Sequence, residues 1–167
     1  MKSHVIKRAF LTLLLLTASI IGAYAKHSFI ENIGQVTDQY NNARPDIVAK
    51  YAAGNGLNIF LSKAGIHYQF ADRNELYRMD VKLIGANPDA RISKDKPTAF
   101  KEQYQLASIK GVASAYEMIV YHDIYPNIDW VFYFNEQGKL EHDFVVKPGG
   151  TASAIKLEYM GANSLKI

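Results

Sequence analysis

Residues 125–146 read YPNIDWVFYFNEQGKLEHDFVV, and this stretch decides the fold. Two runs rich in β-branched and aromatic residues flank a polar group that ends in Gly138, which is the pattern of a β-hairpin. Residues 135–138 (NEQG) suit a type I turn followed by a glycine in the left-handed conformation, the three-residue loop with a G1 bulge. This turn predicts that Asn135 pairs with Lys139.

The predicted register sorts the side chains of the hairpin onto two faces. One face is almost wholly apolar, and its structural residues are Trp130, Phe132, His142 and Phe144, with the pairs Phe134/Leu140, Phe132/His142, Trp130/Phe144 and Ile128/Val146. The other face carries the pairs Tyr133/Glu141, Val131/Asp143 and Asp129/Val145. A slip of one residue would set carboxylates among aromatic rings, which is unfavourable because a buried charge without a partner is costly.

Alternation of apolar and polar residues predicts strands through most of the remaining chain. A strand is predicted at 47–53, a second hairpin at 57–61 and 66–70, and further strands at 77–83, 112–121 and 155–159. Residues 89–113 are undecided, and 100–109 fit either a strand or a short helical turn. The predicted fold is all-β, an antiparallel β-sandwich with little helix outside the first 25 residues.

Two segments of the chain resemble each other. Residues 79–87 and 155–163 both form an alternating strand that ends in Gly-Ala-Asn. Glycine and asparagine tolerate positive φ, so the match fits ordinary strand ends as well as an internal duplication. The sandwich is therefore expected either with or without two similar β units.

Residues 1–25 have the three parts of a secretory signal peptide. Lys2, Lys7 and Arg8 form a basic start, residues 9–22 an apolar run, and residues 23–25 (AYA) a small-x-small cleavage site. The apolar run is shorter than the roughly 20 residues that span a bilayer, so the sequence predicts cleavage after Ala25. The chain then divides into a signal peptide at 1–25, an extended arm or short edge strand at 26–46, and a sandwich-like domain at 47–167.

Cleavage would make the chain formally neutral. The full chain has 19 basic and 16 acidic residues, and residues 1–25 hold three of the basic ones and no acid, which leaves 16 of each. A neutral chain lacks the basic excess of nucleic-acid-binding proteins, so we expect no nucleic-acid partner, and membrane contact only during export. There is no cysteine, which excludes disulfides and a diacylglyceryl anchor.

Several motifs resemble a known family when they are taken in order. They are 29–35 (FIENIGQ), 65–68 (GIHY), 85–88 (GANP) after Tyr77 and Arg78, 125–129 (YPNID) and 138–149 (GKLEHDFVVKPG). The mature chain resembles the N-terminal domain of unknown function of large secreted bacterial surface proteins that carry SBBP (beta-propeller) repeats, immunoglobulin-like modules or gliding-motility-type C-terminal sorting domains. The resemblance implies a cell-surface or secreted location and no enzymatic activity.

The chain departs from that family in two places. Members usually have a Gly-Asn-Asp-Pro and Trp segment before the YPNID motif, where this chain reads QLASIKG at 105–111. Members also continue beyond the position of residue 167. The resemblance therefore implies a truncated member with an incomplete C-terminal end, which would stay in the periplasm if the sorting domain is truly absent.

The polar face of the hairpin holds the candidate site residues Asp129, Tyr133, Glu141 and Asp143. Paired carboxylates serve glycoside hydrolysis, and together with other oxygen ligands they bind calcium. Charged residues are also ordinary on the solvated face of a strand, and we favour that interpretation. His122-Asp123 and His142-Asp143 resemble metal-binding dipeptides, but neighbouring strand residues point to opposite faces, so we predict no metal site and no cofactor.

Two other residue classes carry less information about function. A Ser/His/Asp set could be assembled freely from five histidines and many acids, and such freedom is no evidence for catalysis. Tyrosine is abundant, with 11 in the chain. The tyrosines either edge the core, which we favour, or form a platform for sugars or partner proteins. The residues concerned are Tyr68, Tyr104, Tyr116, Tyr121 and Tyr133.

The sequence predicts a non-enzymatic, exported structural or interaction module of a cell-surface or secreted protein. Its expected partners are other domains of a longer surface protein or cell-envelope proteins. The alternative is a carbohydrate-binding or weak glycoside-hydrolase-like β-sandwich that acts on glycans through Glu141 and Asp143. An unpaired strand edge near the C-terminus is expected to promote self-association.

Overall fold

The structure, a computed structural model, describes residues 27–73, 75–106 and 109–161. Within these ranges the chain forms ten strands and a short 3₁₀ turn at Ala152–Ala154, so the all-β prediction is confirmed. The predicted signal peptide at 1–25 lies outside the described residues. The strands are β1 Phe29–Glu31, β2 Ile47–Gly54, β3 Leu57–Ser62, β4 Gly65–Asp72, β5 Glu75–Leu83, β6 Arg91–Leu106, β7 Ile109–Tyr125, β8 Ile128–Phe134, β9 Leu140–Val146 and β10 Leu157–Met160.

The ten strands form one antiparallel sheet. Its order is β10-β5-β4-β3-β2-β1-β7-β8-β9, and β6 pairs with β7 outside this path. The sheet is curled. β2 and β1 lie between β3 and β7 in the sheet order, yet the Tyr121 hydroxyl of β7 donates to the Ser62 carbonyl of β3 at 2.8 Å. Two facing halves of one curled sheet thus form the sandwich-like body.

The register predicted for the central hairpin is confirmed. Phe132 pairs with His142 and Trp130 pairs with Phe144, as the turn requires. Gly138 has φ of +73°, and its N–H donates to the Asn135 carbonyl at 2.9 Å. The His27 ring also packs against this glycine, since a Cβ built at Gly138 would lie 2.2 Å from Cδ2 of His27 and the exposed imidazole would have to move.

The N-terminal segment differs from the prediction. β1 is neither an extended arm nor an edge strand, because it pairs with β2 on one side and β7 on the other. Phe29 is fully buried as a result. The sheet therefore includes residues assigned by sequence to an arm at 26–46. A strand of three residues is too short to show a period, and its burial is imposed by its neighbours.

Residues 89–113 resolve into two long strands. β6 pairs with β7 from Arg91↔His122 to Leu106↔Ile109. The ladder is interrupted between Pro97 and Lys101. Proline has no N–H to donate to a ladder, which fits its place at this irregularity in a strand at the sheet margin. The many polar residues of β6 leave no clear alternation of apolar and polar positions in its sequence. Its strand conformation depends on pairing with β7.

The two similar Gly-Ala-Asn segments are neighbours in the sheet. β5 and β10 pair antiparallel, with Leu83 opposite Leu157 and Val81 opposite Tyr159. The glycine that follows each strand has positive φ, +73° at Gly85 and +85° at Gly161. The last two residues of the second segment, 162 and 163, lie outside the described ranges.

The core lies inside the curl, and most of its largest fully buried side chains come from β7 and β8. Trp130 is almost completely buried, and its ring stacks on Phe144 with a centroid distance of 5.4 Å and an interplanar angle of 4°. Aromatic rings stacked in this way add to the stabilisation that comes from burial alone. The largest fully buried side chains are Trp130, Tyr121, Phe29, Phe132, Leu61, Ile66, Ile119, Ile124 and Ile128.

Two tyrosines of β7 connect the halves of the sheet through their hydroxyls. Tyr121 donates to the carbonyl of Ser62, as described above. The Tyr125 hydroxyl donates to the Ile84 carbonyl at 3.0 Å and accepts from the Lys156 N–H at 3.4 Å. Tyr125 therefore joins the end of β7 to the chain that follows β5 and the chain that precedes β10.

We expect Tyr121→Phe to lower the free energy of unfolding by about 0.5–1.5 kcal/mol, because it removes one hydrogen bond to the buried Ser62 carbonyl. Urea denaturation followed by tryptophan fluorescence measures the change. Tyr116→Phe is the matched control on the same strand, since Tyr116 contacts Lys94 through its ring face, and we expect a change within about 0.5 kcal/mol. Equal effects of the two substitutions would contradict the role of the Tyr121 hydroxyl.

Candidate functional site

The exposed face of the central hairpin brings three of the four predicted site residues together. The Tyr133 hydroxyl donates to Asp143 Oδ2 at 2.8 Å and lies 3.3 Å from Glu141 Oε2. Asn135 Nδ2 donates to Glu141 Oε1 at 2.6 Å. The hydrogen bond to Asp143 and the charges of both carboxylates raise the pKa of Tyr133 to about 12. These residues form a solvated acidic surface.

Asp129, the fourth predicted residue, belongs to a different cluster. Its carboxylate lies 2.6 Å from Lys147 Nζ, 2.8 Å from the Asp123 N–H and 3.7 Å from His122 Nδ1. Burial raises the pKa of Asp129, but the hydrogen bonds from Lys147 and the Asp123 N–H outweigh this and hold it below its ordinary value. Asp129 therefore ties β8 to the end of β7 and to the residue that follows β9.

His142 lies on the opposite face of β9 from Glu141 and Asp143. Trp130 Nε1 donates to His142 Nδ1 at 3.2 Å, and the imidazole packs against the Phe132 ring at a centroid distance of 5.5 Å. Burial against these rings lowers the pKa of His142, although Asp143 opposes the shift. The residue as a whole is exposed. His142 therefore acts as the hydrogen-bond acceptor of the buried indole.

The five tyrosines considered as a platform do not form one surface. Tyr121 is in the core, and Tyr133 lies on the acidic face. Tyr104 and Tyr116 lie beneath Lys50 and Lys94, with the ammonium groups 5.2 and 5.5 Å from the ring centroids. Tyr68 lines a cavity of about 490 Å³ between β2–β4 and the turn of the central hairpin.

A partly buried polar network, which the sequence did not single out, joins β3, β4 and β5. His67 Nε2 lies 2.9 Å from Ser62 Oγ, and His67 Nδ1 lies 2.8 Å from Asp80 Oδ1. Asp80 Oδ1 also accepts from Arg78 Nε at 2.7 Å. We call Ser62, His67, Arg78 and Asp80 the His67 network. The contact between His67 and Asp80 could have been predicted from the register of the β4–β5 hairpin, which places the two residues opposite each other.

The order Ser–His–Asp resembles that of nucleophilic hydrolases, but the surroundings of Ser62 favour a structural role. Ser62 is only 2% exposed, and a nucleophile has to reach its substrate. Its hydroxyl has one proton, which is shared between the Gly65 carbonyl at 3.0 Å and His67 Nε2. The network orders the β3–β4 turn, whose Ser62 carbonyl accepts the hydrogen bond from Tyr121.

A cavity of about 360 Å³ lies beside the His67 network on the outer face of the sheet. It is covered by the loop between β1 and β2. Two arginines and an imidazole contribute to its wall. We call this cavity the arginine pocket, and its lining residues are Val36, Thr37, Asp38, Gln39, Arg44, Ile47, Phe60, His67, Gln69, Leu76 and Arg78.

The FIENIGQ motif shapes the loop that covers the arginine pocket. Asn32 Nδ2 donates to the Arg44 and Ile47 carbonyls at 2.8 and 2.9 Å, and its Oδ1 accepts from the Gly34 N–H at 2.9 Å. Glu31 Oε1 accepts from the Ser114 N–H at 2.8 Å. The side chains of this motif hold the backbone of the loop and of β7 in place. Their spacing therefore serves structure, and the motif has no catalytic pattern.

Metal and membrane signals are absent from the parts of the chain that the structure describes. In residues 27–73, 75–106 and 109–161, no three His, Asp or Glu side chains come together as a metal-ligand set. The same residues contain no helix long and apolar enough to cross a bilayer.

We expect Asp80→Asn to destabilise the protein by about 1–3 kcal/mol at neutral pH, because it removes the charged acceptor shared by His67 and Arg78. Burial raises the pKa of Asp80, but hydrogen bonds from Arg78 and His67 outweigh burial and lower it. The contribution is complete above the ordinary aspartate pKa of about 3.9 and is lost as pH falls through the lowered value.

Urea denaturation at neutral pH and near pH 3 measures this dependence, and the difference between Asp80→Asn and the parent protein should shrink in acid. Asp89→Asn, at an exposed position before β6, is the control and should change stability by less than about 0.5 kcal/mol at both pH values. A difference that stays constant with pH would contradict the role of the Asp80 charge.

One of three comparisons with known proteins gives a match. No curated protein matches the chain, and no solved structure matches it. A family model described as a domain of unknown function, DUF7948, matches residues 29–167. The match includes β1, the His67 network and the central hairpin, and the expected resemblance to a domain of unknown function is confirmed at this level. The chain belongs to the DUF7948 family of domains of unknown function.

Proposed function

We propose that this domain is a non-enzymatic interaction module, exported from the cytoplasm, that binds a partner by adding a strand to the β9 edge. The observation that carries the proposal is the open edge of β9 beside a firmly held β8. Among the described residues, β9 pairs with β8 alone. Strand addition to an open sheet edge is a common mode of peptide recognition.

The backbone groups that β9 offers can be identified from the ladder. The Asn135 N–H donates to the Lys139 carbonyl at 3.0 Å, and the Lys147 N–H donates to the Asn127 carbonyl at 2.8 Å. In an antiparallel pair, hydrogen-bonded positions alternate along each strand, so residues 139, 141, 143, 145 and 147 face β8. The backbone groups of Leu140, His142, Phe144 and Val146 therefore point toward the free edge.

The other sheet margins are less suited to a partner strand. β6 contains Pro97 and the charged residues Lys94, Asp95 and Lys96, and such residues protect edges against pairing. β10 has only four residues. β9 has seven residues without proline, and Val145 and Val146 are 47% and 42% exposed. The length and the apolar end of β9 favour this edge.

The side chains of β9 define the chemistry of the partner. Glu141 and Asp143 lie on one face of the strand, while Phe144 and Val146 lie on the other. A complementary strand therefore alternates basic and apolar residues, with lysine or arginine beside the carboxylates. Pairing of opposite charges between neighbouring strands is favourable, and it also selects the register.

The setting of the module follows from the sequence rather than from the fold. The basic, apolar and small-x-small pattern of residues 1–25 supports export. The ordered motifs support a place in secreted bacterial surface proteins with SBBP repeats or gliding-motility-type sorting domains. In that setting the partner strand belongs to a neighbouring domain of the same protein or to a protein of the cell envelope.

We expect a short peptide that alternates lysine and valine to bind the domain more tightly than one that alternates glutamate and valine. Val146→Pro removes one outward N–H without removing a ladder hydrogen bond to β8, and it should weaken binding of the lysine peptide about tenfold or more. Fluorescence anisotropy of the labelled peptide measures the affinity. Circular dichroism checks that the variant is folded.

Val146→Thr is the matched control, because threonine is also β-branched and keeps the backbone N–H. Its affinity for the lysine peptide should stay close to that of the parent protein. Equal binding by Val146→Pro and Val146→Thr, or equal binding of the two peptides, would contradict strand addition at β9.

A further inference from the structure

The arginine pocket lies on the outer face of β3, β4 and β5, opposite the core. Phe60 pairs with His67, and Gln69 pairs with Arg78, so these side chains stand next to one another on that face. The residues that alternate with them, Ile59, Leu61 and Ile66, are buried in the core. The pocket is therefore separate from the hairpin face and from the β9 edge.

Both arginines of the pocket are held from behind by carboxylates. Arg44 donates through Nε and Nη2 to the two oxygens of Asp46 at 2.8 and 2.6 Å. Arg78 donates through Nε to Asp80, and its Nη2 lies 3.2 Å from His67 Nδ1. Asp46 and Asp80 do not line the cavity. An arginine held in this way is pre-organised for a second bidentate partner.

The remaining donors of both guanidinium groups are available for a ligand. A guanidinium carries five N–H donors, and the contacts above use only Nε and Nη2. Within the described part of the chain, Nη1 of Arg44 and Nη1 of Arg78 have no hydrogen-bond partner. Arg78 is also 47% exposed, so its side chain is accessible from solvent.

The single acidic residue among the lining residues is already engaged by its own loop. Asp38 Oδ1 accepts from the N–H groups of Tyr40 and Asn42 at 2.8 and 2.9 Å. Its Oδ2 accepts from Asn42 Nδ2 at 3.0 Å. The carboxylate of Asp38 is thus directed into the turn at 38–42 and does not take up the outward N–H groups of the arginines. The charges of Asp38, Asp46 and Asp80 all act on Arg44, so these N–H groups, rather than a net positive charge, are what the pocket offers to an anion.

The rest of the lining suits a ring that carries hydroxyl groups. Gln39 and Gln69 supply amide donors and acceptors, while Phe60 and Leu76 supply apolar surface. The volume of about 360 Å³ lies at the small end of the range for ligand pockets, about 300–1,000 Å³. One small ligand with a carboxylate, several hydroxyls and a partly apolar body matches this lining.

We propose that the arginine pocket binds a uronic acid unit of an acidic polysaccharide, with the sugar carboxylate between Arg44 and Arg78. The amides of Gln39 and Gln69 hold the ring hydroxyls, and the apolar side of the ring rests on Phe60 and Leu76. The pocket gives the domain a glycan-binding activity independent of strand addition at β9, and it places this activity away from Glu141 and Asp143.

The direct test is calorimetric titration of the folded protein with digalacturonate and with neutral digalactose. Digalacturonate should bind about tenfold or more tightly than the neutral sugar, and its affinity should fall as salt is added, because a guanidinium–carboxylate contact is electrostatic. Equal binding of the two sugars, or no binding of digalacturonate at millimolar concentration, would overturn the proposal.

Two pairs of variants locate the site. Arg78→Gln should weaken digalacturonate binding about tenfold or more, while Arg91→Gln, at an exposed position outside the pocket, should leave it unchanged. Leu76 is 63% exposed and contributes little to the core, so both of its variants should fold. Leu76→Glu places a carboxylate at the pocket and should weaken binding, whereas Leu76→Gln should weaken it much less.

The same variants separate the proposal from its competitors. Unchanged digalacturonate affinity in both Arg78→Gln and Leu76→Glu would overturn the assignment to this pocket. Binding of a short peptide with a free C-terminal carboxylate that Arg78→Gln weakens, with no binding of digalacturonate, would overturn the proposal in favour of a pocket that recognises peptide ends. Val146→Pro should not change sugar binding, so a failure of the β9 proposal and a failure of this one are distinguishable.

Discussion

The curl of the sheet depends on hydrogen bonds that cross its interior. Tyr121 and Tyr125 stand on β7 and reach carbonyls at the ends of β3 and β5. A hydrogen bond holds its donor and acceptor about 3 Å apart, so the hydroxyls fix how closely the two halves approach. The His67 network supports the hydrogen bond from Tyr121 to Ser62, because it orders the β3–β4 turn to which the Ser62 carbonyl belongs. The apolar core and the His67 network are therefore connected through Ser62.

The central hairpin was predictable because two independent signals agreed. The NEQG turn specifies a left-handed glycine, and the alternation around it specifies which side chains are buried. β1 was not predictable in its true position, since Phe29–Glu31 has no period of its own and owes its burial to β2 and β7. The polar strand β6 likewise depends on its long partner. Tertiary pairing decides such segments, and the sequence holds only weak local evidence of it.

For the candidate sites as well, contacts within one hairpin could be predicted from the sequence, whereas contacts between distant segments could not. Tyr133, Glu141 and Asp143 meet as expected because one hairpin holds them all. Asp129 lies on the same face, but its carboxylate pairs with Lys147 instead of joining the other three residues. The position of Lys147 depends on how the chain continues after β9. The arginine pocket combines residues of the loop at 36–44 with residues of four strands, and no spacing in the sequence reveals that assembly. Residues close in sequence were placed correctly, while contacts between distant segments required the fold.

The position of β1 between β2 and β7 has a consequence for how the chain folds. Ile30 pairs with Lys50 on one side and with Ala115 on the other, so this strand cannot complete its ladder until a segment far along the chain has formed. Topologies with such distant pairings have high contact order and fold slowly, because loop closure precedes the contacts that stabilise it. The N-terminal strand of this domain therefore takes its final place only after β7 has been synthesised, however early the local hairpins form.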